Sequence, residues 1–77
     1  MTPDRSTALV AADARELVDE LAARPDPAAF EELISLHDHL GRALGASARL
    51  LAETGSWAQV ATHAGVSKQA AWSRWRV

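Results

Sequence analysis

The sequence predicts an all-α chain: an N-terminal helical hairpin with a long second helix, then two short helices joined by a tight turn. Three observations carry that expectation. Apolar residues recur at helical spacing through residues 7 to 24 and again through 27 to 54. Helix stop and start residues fall between the stretches, as Arg24-Pro25-Asp26-Pro27 and as Ser56 and Ser67. Gly65 lies between the last two short stretches, where a left-handed residue would end one helix and start a turn.

Residues 1 to 5 read as a frayed end. With Ser6 or Thr7 as cap, residues 7 to 24 place Leu9, Val10, Ala14, Leu17 and Leu21 on one side. Asp13, Arg15, Glu16, Asp19 and Glu20 lie largely on others, which makes an amphipathic helix. It ends at the prolines, because the residue before a proline is disfavoured in helical geometry and the ring obstructs the preceding turn. Asp26 then caps the next helix, and Pro27 takes its first position, where the missing N–H is not needed.

Winding residues 27 to 54 at about 100° per residue aligns Leu33, Leu36, His37, Leu40, Leu44 and Leu51. Beside them run Phe30, Ile34, Gly41, Gly45, Ala48 and Ala52; Glu31, Ser35, Asp38, Arg42, Arg49 and Glu53 gather opposite. Asp38 and Arg42 have the favourable i, i+4 spacing. One phase over the whole stretch argues for one helix. The competing reading breaks it at Gly45-Ala46-Ser47, with Ser47 capping a separate helix of residues 48 to 54. The apolar face is wider than one short partner helix covers, which predicts a homodimer through Leu33, Leu36, Leu40, Gly41, Leu44 and Gly45.

The last stretch needs a third helix to close a core, so about Leu44 to Thr54 is expected to serve it. The organisation is therefore residues 1–43 as hairpin and dimerisation region, and 44–77 as a second unit. Within it Ser56 caps a helix whose Val60, Ala61 and Ala64 turn inward, and Val66 plugs the angle after Gly65. Ser67 caps the final helix, with Ala71 and Trp75 on its buried face.

The run Trp57-Ala58-Gln59-Val60-Ala61, then Gly65-Val66-Ser67-Lys68-Gln69-Ala70-Ala71, resembles the bacterial helix-turn-helix pattern of sigma-factor region 4 and many small regulators. In that pattern Ala61 sits where the helices cross and Ser67, Lys68 and Gln69 open the recognition helix. The usual late aliphatic position falls on Arg74, and the bulky apolar residue comes one place later, at Trp75. The whole arrangement also resembles small nucleoid-associated helix-turn-helix proteins of GC-rich bacteria. That likeness implies double-stranded DNA as partner, a chromosome-wide or global regulatory role, and a cytoplasmic, nucleoid-associated location. A single-operator transcriptional repressor, or a protein-interaction module with the motif as scaffold, are the alternatives.

Charge fits a DNA-facing end. Residues 1 to 55 carry ten Asp and Glu against five Arg, while residues 56 to 77 carry Lys68, Arg74 and Arg76 and no acid, so −5 and +3 make the net −2. Affinity for phosphates follows the local field, and there its sign is positive. Seven Arg to one Lys and abundant alanine point to a GC-rich genome. Base readers are expected at Ser67, Lys68, Gln69, Trp72 and Ser73, with Lys68 donating to guanine and Gln69 pairing with adenine. Trp72 could instead complete the core. Phosphate contacts are expected from Ser56, Trp57, Thr62, Arg74 and Arg76, and Trp57 could equally plug the core. Solvated surface is the plainer role for Lys68, Gln69 and each phosphate candidate.

Other functions find little footing. There is no cysteine, and His37 and His39, two apart, diverge on a helix, so no metal site is expected. No catalytic constellation, glycine-rich phosphate loop, cofactor motif or small-molecule pocket is expected, and no stretch is apolar enough for a membrane span or a secretion signal.

Overall fold

The computed structural model describes residues 5–77, as α1 (Thr7–Ala22), α2 (Pro27–Thr54), α3 (Trp57–Ala64) and α4 (Lys68–Trp75). The chain is all-α, with no strand among the described residues. The frayed end expected at residues 1 to 5 falls mostly on 1–4, outside the described residues. Arg5 pairs with Asp13 of α1.

Each helix starts on a side chain that accepts the backbone N–H three residues on. Ser6 Oγ accepts from Leu9 N at 3.2 Å, Asp26 Oδ1 from Ala29 N at 2.7 Å, Ser56 Oγ from Gln59 N at 3.2 Å, and Ser67 Oγ from Ala70 N at 3.1 Å. Each such cap is worth about 1 kcal/mol. α2 runs unbroken through Gly45-Ala46-Ser47, so Ser47 caps nothing and the one-helix reading is the observed one. Asp38 and Arg42 form the expected i, i+4 pair at 2.7 Å.

The chain divides into two compact units, Met1–His37 and Asp38–Val77. In the first, of which residues 5–37 are described, α1 buries no residue, and Leu9, Val10 and Leu17 are exposed. Leu21 is half-buried and borders the start of α2 at Ala28, Ala29 and Glu32, while most of the α1 apolar stripe has no cover in the single chain. The buried side chain of this unit is Ala29, beside the cap at the start of α2.

The second unit has a closed, small core. Ala48 of α2, Val60 and Ala61 of α3 and Ala71 of α4 are buried, and Leu51, Ala52, Trp57 and Trp75 pack around them. Small side chains at the crossing allow α3 and α4 to approach closely. Two inward expectations are corrected: Ala64 is exposed, and Val66 is 39% exposed. Both border an open cleft of about 410 Å³ lined also by Leu44, Leu51 and Trp75, because the last turn of α3 extends past what α2 and α4 cover.

Gly65 has φ 72° and ψ 31°, the left-handed region, and the Val66 N–H donates to the Ala61 carbonyl at 3.1 Å. That six-to-one bond satisfies a carbonyl at the helix end and turns the chain. A Cβ on Gly65 would meet nothing within 4 Å, so the penalty of a side chain is backbone strain alone. Gly65→Ala should destabilise the chain by about 1 to 2 kcal/mol. Urea titration followed by tryptophan fluorescence checks this, and an unchanged midpoint would contradict it.

Candidate functional site

The residues expected to act together lie mostly on one side of α4. Winding α4 at about 100° per residue gathers Lys68, Gln69, Trp72, Ser73 and Arg76 along one face, and all five are exposed. Ala71, fully buried, and Trp75, half-buried, anchor the other side. Trp72 thus does not complete the core. It is 47% exposed, and the Arg76 guanidinium lies over its ring at 4.7 Å from the centroid. A cation within about 6 Å of a ring face is attracted by its quadrupole, which keeps Arg76 on the Trp72 side.

Arg74 is different. Its position is about 170° from the middle of that face, its guanidinium lies 5.4 Å from the Trp75 ring centroid, and it lines the cleft together with Ser47 and His63. The structure does not bring Arg74 together with Lys68 and Arg76. Trp75, half-buried against the core, takes the anchoring role on that side of α4.

The hydroxyls divide by what their single proton does. Ser56 and Ser67 cap by accepting, so each O–H remains able to donate outward. Thr62 Oγ1 donates to the Ala58 carbonyl at 2.9 Å, so its proton is already used inside α3 and it has none for a phosphate oxygen. Ser56 and Thr62 are exposed, whereas Trp57 is half-buried against the core, as the core-plug reading of that residue has it.

Two residues hold α4 in place that sequence reading assigned elsewhere. Arg49, grouped with the outward face of α2, donates from Nη1 to the Trp75 carbonyl at 3.1 Å. A cation bonded to the last carbonyls of a helix also complements its dipole. Gly45, assigned to the dimer strip, is buried by its own chain: a Cβ there would stand 3.2 Å from Arg49 Nη1 and 3.8 Å from Trp75 Cδ1. Its missing side chain lets Trp75 and the Arg49 tether seat on α2. Of the other dimer candidates, Leu33 is half-buried, and Leu36, Leu40, Gly41 and Leu44 are exposed.

Among the described residues no three His, Cys, Asp or Glu side chains group to hold a metal ion, and no helix is long and apolar enough to cross a membrane. No family model matches this chain, and no curated protein or solved structure matches it.

Proposed function

We propose that this chain binds double-stranded DNA with sequence preference, as a helix-turn-helix whose recognition helix is α4. The carrying observation is the sidedness of α4: Lys68, Gln69, Trp72, Ser73 and Arg76 face outward while Ala71 and Trp75 hold it to the core. An exposed helix of this kind fits the major groove, where Lys68 can donate to guanine O6 or N7 and Gln69 can bridge adenine N6 and N7. Ser67 and Ser73 hydroxyls suit either partner, and Trp72 offers apolar area to a thymine methyl.

Phosphate contacts come from Arg76, the free O–H of Ser56 and the first-turn N–H groups of α3 and α4. Arg74, Thr62 and Trp57 drop out of that set for the reasons of position, proton use and burial given above. Residues 56 to 77 carry three cations and no acid, which gives the approach of a polyanion the correct sign despite the net charge of −2.

The reading extends to a nucleoid-associated or global regulatory role in the bacterial cytoplasm, on the likeness of the whole arrangement to small nucleoid-associated helix-turn-helix proteins of GC-rich bacteria. Selection of bound duplexes from a random pool tests the chemistry. Enrichment of a short motif containing guanine and adenine at adjacent positions is the expected result. Recovery of an unenriched pool would reject sequence preference, and genome-wide occupancy separates many sites from a single operator.

A further inference from the structure

The cleft lined by Arg74 takes no part in the proposed DNA contacts. It holds about 410 Å³ and lies wholly within the second unit, inside the range of roughly 300 to 1,000 Å³ that small-molecule sites occupy. Its lining comes from α2, α3, α4 and the turn before α4, so no local stretch of sequence announces it.

Leu44 and Leu51 of α2, Val66 of the turn and Trp75 of α4 give the cleft apolar walls. Leu44 is 50% and Val66 39% exposed, so apolar surface there meets water in the free chain. Removing it from water favours a ligand with an apolar body.

Arg74 sets the charge of that ligand. The lining contains no carboxylate, and among the described residues none pairs with Arg74, whereas Arg5 and Arg42 each have one. The Arg74 guanidinium lies 5.4 Å from the Trp75 ring centroid, and Trp75 is itself tied to α2 by the Arg49 bond to its carbonyl at 3.1 Å. A guanidinium held against a ring keeps its N–H fork beside the apolar wall. That fork matches a carboxylate with two parallel bonds, and one guanidinium balances one negative charge. The His63 ring and the Ser47 hydroxyl add further donors to the lining. We infer that this cleft binds a small amphipathic carboxylate, its apolar chain against Leu44, Leu51, Val66 and Trp75 and its carboxylate on Arg74.

The test uses the full chain and no DNA, so it stands or fails apart from the proposed function. Octanoate is the probe and octanol its uncharged counterpart, each titrated at fixed ionic strength into isotope-labelled chain. Octanoate should move the amide cross-peaks of Leu44, Ser47, His63, Val66 and Trp75 to saturation, and octanol should bind about tenfold more weakly. Arg74→Gln should bring octanoate down to the octanol level. Arg74 is exposed, so the ligand-free spectrum of that variant should match the parent away from the substitution. Arg42→Gln removes the same charge outside the cleft and should leave octanoate affinity unchanged. No saturable shift at millimolar octanoate, equal affinity for octanoate and octanol, an Arg74→Gln chain that binds like the parent, or an equal loss in Arg42→Gln would overturn the inference. So would the same cross-peaks moving with chain concentration alone, because a second copy would then fill the cleft.

Discussion

Ala71→Glu should unfold the second unit. Ala71 is fully buried where α4 meets Val60 and Ala61 of α3 and Ala48 of α2, so a longer side chain has no space and its carboxylate no partner. A buried unpaired charge costs roughly 3 to 5 kcal/mol. A unit of forty residues, Asp38–Val77, holds on the order of 2 to 6 kcal/mol in total at the usual stability per residue. The loss is therefore comparable to all the stability available. All three tryptophans lie in this unit, at 57, 72 and 75, so their fluorescence reports it alone. Ala71→Ser provides the milder comparison, because a serine hydroxyl can bond back to the carbonyl one turn earlier. A native-like spectrum and melting transition for Ala71→Glu would show that α4 does not pack on this face.

On the outward face the expected effects move from stability to recognition. Lys68→Ala and Gln69→Ala should each cost about 1 to 3 kcal/mol on the best duplex and much less on others, so that preference between sites relaxes. Arg76→Ala should weaken all duplexes alike, because a phosphate contact carries no base information. Lys68 and Gln69 are exposed and engage no core residue, so urea midpoints should stay within about 0.5 kcal/mol of the parent. Competition binding with a set of duplexes differing by one base pair measures the pattern. Equal, sequence-blind losses from all three substitutions would remove direct base reading from the account.

What could be read from the residues alone was the local part. Ser6, Asp26, Ser56 and Ser67 cap as expected because the bond spans three residues, and Gly65 is left-handed because helix ends need such a residue there. The unbroken α2 followed from one apolar phase. Periodicity tells which residues share a face, however, and not which neighbour covers it. Hence Gly45, placed in the strip beside the leucines and in the expected dimer face, is covered by Trp75 thirty residues later, and α1 buries no residue fully. Ala64 and Val66 have the right spacing but sit where the core opens into the cleft. Trp72 could not be placed beforehand, because a ring with a polar N–H suits either side; the stacked Arg76 marks the side it takes. Arg49 gave no local signal, since its partner is the carbonyl at the far end of α4.

The salt dependence of duplex binding, measured by fluorescence anisotropy, tests the central claim most directly. Three phosphate-neutralising cations would give a slope of log K against log salt of about −2.7 per bound chain, but with Arg74 turned away and Lys68 on a base edge only Arg76 remains, giving about −0.9. Arg76→Ala should bring the slope close to zero, and Arg74→Ala should leave it near about −0.9. No binding at low salt, a flat salt response, or an Arg74→Ala loss equal to that of Arg76→Ala would contradict the account.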